Sequence, residues 1–324
     1  MWEEYIDRKR YLRYAKILLT GKSRLFRLIL PQLLVLSSWS TIVGLQNYFP
    51  FISAFWARYS WLKISMPMSA LSILSSFVAA LLTLRTNQCL SRVAEGRLAW
   101  GRNLLLTRDL GQLLFTNIYS VNKKMGLLAA RNLSLFGFLV KNRMRDEDNE
   151  DIVKQMLPSS DSSFVLSQRK QPIALIARIR HIISSMQMNG EISDIVGMKF
   201  DNLLLELNRI YGMCERIRGS PIPVLYTSHA SRLLQFYLFF LPIALNAQGA
   251  PALLNIIATS FTGYVMLGLD EISHQIEQPF RIIPMHQVAC GVARDVADAF
   301  VCQPPKLPGY DYEPEEIEYP PSYW

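Results

Sequence analysis

Ile64–Leu84 reads ISMPMSALSILSSFVAALLTL, and RTNQCLSRVAEGRLAW follows it at once over Arg85–Trp100. The first stretch carries no charge for about 21 residues, the length an α-helix needs to cross the hydrocarbon core of a bilayer. The second begins abruptly at Arg85, and Arg85, Arg92, Arg97 and Arg102 read as the same helix continuing into water. Small and hydroxylated residues fill the apolar part: Ser65, Ser69, Ala70, Ser72, Ser75, Ser76, Ala79 and Ala80. Such residues let neighbouring helices approach closely, and their hydroxyls suit a wet or protein-packed surface rather than lipid. The pattern predicts a spanning helix that faces other helices or a pore.

The rest of the chain repeats the theme. Half of its 324 residues are apolar and 19% are charged, with a mean hydropathy of +0.15, and the apolar residues are bunched. Two further uncharged runs stand out, Leu28–Ala57 and Leu233–Leu269. At about 20 residues per span, the first holds one span plus an interfacial segment. The second holds two, turning at Asn246–Pro251 (NAQGAP), a cluster of helix breakers. Four transmembrane helices result. Buried helices of a soluble protein are the competing reading, which the runs disfavour because soluble helices rarely avoid charge for so long.

Lys and Arg placement sets the expected topology. Arg8, Lys9, Arg10, Arg13, Lys16, Lys22, Arg24 and Arg27 precede the first span, whereas only Arg58 and Lys63 lie between spans one and two. Residues 85–232 are heavily basic, so both termini and this long segment are expected on the cytoplasmic or stromal side. Tyr48, Phe49, Phe51, Phe55, Trp56, Tyr59 and Trp61 suit an interfacial belt on the other. The net charge of +8 follows from these flanks, and no nucleic-acid-binding signature is present. Cys89, Cys214, Cys290 and Cys302 lack Cys-x-x-Cys spacing and fall on the positive side, where thiols rather than disulfides are expected. The charged N-terminus has no signal-peptide core.

In order, the chain divides into a basic amphipathic segment (1–27), spans one and two (28–84) and a helical cytosolic or stromal domain (85–232). Spans three and four (233–269), a C-terminal helical segment (270–303) and a proline-rich acidic tail (304–324) follow. Within the domain, helices are expected near Lys123–Lys141, Pro172–Met188 and Ile192–Ile217, with a last helix near Met285–Cys302. A polar, Ser-rich stretch beginning RDEDNED, near 145–170, reads as a mobile linker. GSPIPVLYTSHASRL is expected to lead back to the membrane as an extended segment. Pro31 is placed in the first turn of span one, where a missing N–H does little harm.

Three segments together resemble the bestrophin family of anion channels. LLTLRTNQCLSRVAEGRLAWGR (Leu81–Arg102) is similar to the family's FRTN, Arg, EGR and Trp pattern. SPIPVLYTSHASRLLQFYLFFLPIAL (Ser220–Leu245) is similar to its IP-x-x-YT-x-H approach to the third span. GLDEISHQIEQPFRIIPMH (Gly268–His286) resembles the segment that ends in PF after span four. Departures include Gln88, Cys89 and Leu90, and Val93 and Ala94 before the EGR. Animal members follow PF with an acidic run that forms a calcium clasp, but here Arg281-Ile282-Ile283-Pro284 follows and offers no carboxylate. The RIIPM form resembles the plant, algal, fungal and bacterial branches, with thylakoid-type members foremost.

The resemblance implies an all-α, bestrophin-type homopentamer, four transmembrane helices per subunit, with five copies of span two around one pore. Stepping back from Arg85 in helical spacing gives Phe77, Ile73 and Ser69 at i, i−4 and i−8, on one helix face. In a symmetric ring they become stacked rings forming a neck, through which weakly hydrated anions pass more readily; ordinary helix packing is the competing reading. Matching back from IPVLYT without gaps places a second aperture at Ile195, where a buried core isoleucine is the competing reading. Arg85, Arg92 and Arg97 are candidates to enrich anions at a vestibule, against membrane flanks and ion pairs with Glu95, Asp270 or Glu271.

The implied partners are chloride and other monovalent anions, together with the lipid bilayer and other copies of the chain, and the runner-up reading is a bicarbonate-conducting channel of the thylakoid. The expected site is a chloroplast thylakoid membrane in a plant or alga, and otherwise the plasma membrane. No cofactor, metal site or catalytic residue is expected. His181, His229, His274 and His286 lack ligand spacing, and there is no phosphate loop or nucleophile triad. A non-conducting membrane scaffold is the alternative from another class.

Overall fold

The computed structural model describes residues 24–45 and 66–301. The expectations for the N-terminal segment before Arg24, the aromatic belt at 48–61 and the proline-rich tail lie outside the described residues. Among those described there is no strand, and four helices are long and apolar enough to cross a membrane. The chain divides into two compact units, one comprising residues up to Ser91 with Ile222–Glu277, the other Arg92–Pro221 with the residues from Gln278 onward.

The first unit is built from α1 (Arg24–Leu45), the N-terminal part of α2 (Met68–Leu113), α8 (Val224–Ala247) and α9 (Ala252–Ile276). Because α1 starts at Arg24, Pro31 lies inside it and not in its first turn. A membrane helix accommodates such a proline because neighbouring helices re-satisfy the freed backbone. The turn between α8 and α9 falls within NAQGAP. Gly249 takes the left-handed conformation there (φ 77°), and Pro251 is the N-cap of α9.

Small residues bring α1 and α9 together. A Cβ on Gly263 would lie 2.3 Å from Leu36 Cδ2, and one on Gly44 would lie 3.3 Å from the Ala252 backbone. A buried polar knot joins the same helices to α8. Ser40 Oγ (3.4 Å) and Thr259 Oγ1 (3.2 Å) donate to Asn255 Oδ1, while Asn255 Nδ2 donates to the Pro242 carbonyl (2.9 Å). Away from water, satisfying such groups orders the packing, because the alternative is an unpaired amide in hydrocarbon. Trp39 adds a stacked contact with Phe239 (4.8 Å) and donates to its carbonyl at 3.0 Å.

The second unit is a helical bundle around α3 (Lys123–Arg145), which is buried on nearly every side between Gly126 and Met144. Around it lie the distal part of α2, a π-helical turn (Leu114–Tyr119), α4 (Glu150–Met156), α5 (Ser159–Ser167), α6 (Gln171–Met188) and α7 (Asp194–Gly219). The chain after Gln278 adds the short α10 (Pro279–Ile282) and α11 (Met285–Val301). Trp100, Phe136, Phe200 and Tyr211 are the largest fully or nearly fully buried side chains of its core. Two close approaches need glycine: a Cβ on Gly126 would lie 2.6 Å from Tyr119 Cα, and one on Gly137 would lie 3.3 Å from Ala289 Cα.

The stretch expected to be a mobile linker is folded. Val153, Leu157 and Val165 point into the core of this unit, and Asp161 is buried against Arg178 at 2.9 Å. The acidic run works as capping chemistry. Asp146 closes α3 in the left-handed conformation (φ 58°), and Arg218 holds both its carboxylate oxygens at 2.6 Å. Asp148 Oδ1 accepts from the backbone N–H of Asn149 (2.7 Å) and Glu150 (3.3 Å), at the start of α4. The extended approach to span three is shorter than expected, covering 221–223 before α8 begins at Val224.

Candidate functional site

Helix α2 has two faces. Leu71, Val78 and Leu82 recur at helical spacing and pack with Leu234, Leu238 and Leu241 of α8. On the other face Ser69 is exposed, Ile73 is 61% exposed and Phe77 is 62% exposed. An Ile and a Phe left this open carry apolar surface that is uncovered among the described residues. Ser72, Ser76 and Ala80, already noted as small or hydroxylated, share that face together with Thr83 and Leu84, which the sequence pattern had not marked. Continuing the i, i+3, i+4 period from Ile73 reaches both. The hydroxyls of Ser72, Ser75 and Ser76 donate to carbonyls of their own helix at 2.7–3.1 Å, so their lone pairs remain for whatever the face meets.

The three arginines have different fates. Arg85 is 3% exposed; its guanidinium donates to Asp270, lies 4.0 Å from Glu277 and 3.5 Å from Ser231, and Ser231 in turn donates to Asp270. Thr86 and Ser273 share a hydroxyl contact (2.7 Å) one residue along, and Tyr226 donates to the Leu81 carbonyl (3.2 Å), so α2, α8 and α9 are tied by polar groups at one level. Arg92 lies along the C-terminal end of α7, donating to the carbonyls of Ile217 (2.6 Å) and Ser220. Those carbonyls have no intrahelical partner, and a cation suits the negative end of a helix. Arg97 is exposed. Glu95 pairs with Arg216.

Ile195 stands in the first turn of α7 and is 71% exposed, so it is not part of the core formed by the described residues. Met188 and Met198 are exposed beside it in sequence, at the end of α6 and one turn into α7.

The EGR and PF motifs meet inside the second unit. A Cβ on Gly96 would lie 3.1 Å from Ile283 and 3.6 Å from both Phe280 and Pro279, so glycine lets α2 lie against this turn. Phe280 and Ile283 are buried, and Arg145 donates to their carbonyls at 3.1 and 3.0 Å. Among the described residues no group of three or more His, Cys, Asp and Glu side chains is arranged to hold a metal ion.

Titratable groups elsewhere in this unit serve packing. Burial works to raise the Glu215 carboxyl, but hydrogen bonds from Lys170 (2.6 Å) and Tyr211 (2.9 Å) outweigh it and hold it below the usual range. Burial first, and the bond to Glu215 second, push the Tyr211 phenol up.

Residues 5–298 match the family described as bacterial/fungal bestrophin protein. The chain is 24% identical over 306 residues to voltage-dependent chloride channel 1, chloroplastic, of Arabidopsis thaliana, covering 92% of this chain and 72% of the relative. It is 26% identical over 245 residues to a voltage-dependent anion channel-forming protein of Nostoc sp., covering 73% and 79%. Its fold is similar to the crystal structure of a bacterial bestrophin homologue from Klebsiella pneumoniae, with a TM-score of 0.76 at 25% identity, over 85% of this chain and all of that one.

Proposed function

Because the chain belongs to the bestrophin family, we propose that it is the subunit of an anion-selective channel, passing chloride and other monovalent anions through a homopentameric pore. The observation that carries this reading is the division of α2 into a sealed face and an uncharged open one bearing Ile73 and Phe77. Five copies around an axis would bury that apolar surface against one another and against the permeating ion. Ser69, Ile73 and Phe77 then stack as rings of a neck, where an apolar constriction favours weakly hydrated ions and gates by dewetting. Ile195 forms a second aperture, for which its exposure argues.

Among the arginines, Arg97 best fits a field-focusing role at a vestibule, because Arg85 is neutralised by Asp270 and Arg92 is spent on α7. The channel works without calcium at the PF segment. A tethered guanidinium, Arg145, already occupies the carbonyls of Phe280 and Ile283, where a cation would otherwise find oxygen ligands. The termini face the cytoplasm or stroma. The membrane is that of a thylakoid if the source is a plant or alga, and otherwise a plasma membrane. The protein acts without enzymatic chemistry.

Planar-bilayer recording of the purified protein in asymmetric KCl tests the reading. Currents are expected to reverse near the chloride equilibrium potential and to persist after calcium chelation. Bicarbonate flux at fixed chloride separates a channel for inorganic carbon from one for halide. Silence from correctly assembled pentamers would overturn conduction in favour of a membrane scaffold.

A further inference from the structure

Helix α11 places His286 and Cys290 one turn apart on the same face, with Cys290 Sγ 3.6 Å from His286 Nε2. The imidazole is held from the side by Phe138 of α3, whose ring meets it edge-on with centroids 6.1 Å apart. Cys290 is half-buried, and His286 is exposed. Cys214 is the contrast: it is sealed in the core, and burial pushes its thiol up to about 12, so it stays protonated and inert. A thiol and a fixed imidazole within reach of each other form a nucleophile with its base.

We propose that Cys290 is a modification site, a thiol that exchanges with low-molecular-weight disulfides, and that His286 is the base that serves it. With the ring proton on Nδ1, Nε2 accepts the Cys290 proton as the sulfur attacks one sulfur of the incoming disulfide. A new S–S bond forms at Cys290, the disulfide's own bond breaks, and the departing thiolate takes the proton back from the imidazolium. The Cys290 sulfur is oxidised and one half of the reagent leaves as reduced thiol, so atoms and electrons balance.

The test is incubation of the full-length purified protein with glutathione disulfide, followed by tryptic mapping. Residues 282–294 carry Cys290, apart from Cys302 on the next peptide. Cys290 in the folded chain is expected to react at least about ten-fold faster than in a synthetic 282–294 peptide, and a thiol reductant should remove the adduct. His286→Gln and His286→Phe are each expected to bring the rate down to that of the peptide. A folded-chain rate no higher than the peptide's, or one that either substitution leaves undiminished, would overturn the proposal. The outcome is independent of whether the protein conducts.

Discussion

At the scale of single residues, adjacent positions on α2 do separable work. Phe77 is 62% exposed within its own chain, so Phe77→Ala should leave the helical fold of the single chain intact, seen as an unchanged circular-dichroism spectrum. In the proposed pore the same change widens a ring of side chains, and single-channel conductance should rise. Leu82 is buried, and Leu82→Ala should instead cost about 2–5 kcal/mol, seen as a lowered midpoint in detergent melts. Equal conductance in Phe77→Ala and wild type would mean that this face does not line the path. Arg85 makes a third case. Asp270→Ala strips a guanidinium that is 3% exposed of its nearest counter-charge, and breaking such a buried pair costs about 3–5 kcal/mol. The yield of folded, monodisperse protein is the measurement, and Asp270→Glu should recover part of it.

Among the elements, the α6–α7 joint carries a pH-dependent strut. Lys170, the N-cap residue of α6, and Tyr211 hold the Glu215 carboxyl of α7 below its ordinary value. A depressed carboxyl contributes stability above the unfolded value of about 4.3 and loses it as pH falls through the lower folded value. Melting temperature should therefore drop on going from about pH 5 to pH 3, and Glu215→Gln should flatten that limb. Which elements the sequence made legible follows from the kind of signal each left. Charge-free length marked the spans, and Gly249 with Pro251 marked the α8–α9 turn, because both are local. The α4–α5 segment was misread because Asp146, Glu147 and Asp148 look solvated, whereas Asp146 and Asp148 act as caps and Glu147 pairs with Lys141 at 2.6 Å. The Arg145 bonds to Phe280 and Ile283 join residues more than a hundred positions apart, and no local pattern reports that. The open face of α2 was half-legible: helical spacing from Arg85 reached Ser69, Ile73 and Phe77, but their exposure needed coordinates.

For the whole molecule, the proposed pentamer predicts a detergent-free mass five times that of the 37.1 kDa chain by native mass spectrometry. A stable monomer would leave Ile73 and Phe77 uncovered and count against the pore. The Arg85–Asp270 pair also bears on how the molecule is made. Its partners are 185 residues apart, and a ribosome delivers about 5–20 residues each second. The arginine therefore emerges about 10–40 s before the carboxylate that neutralises it exists. During that interval Arg85 stands at the end of the apolar part of α2 without the Asp270 carboxylate, a charge that burial would penalise until α9 is made. Among the described helices, the last one long and apolar enough to span a membrane is thus the one that neutralises the second.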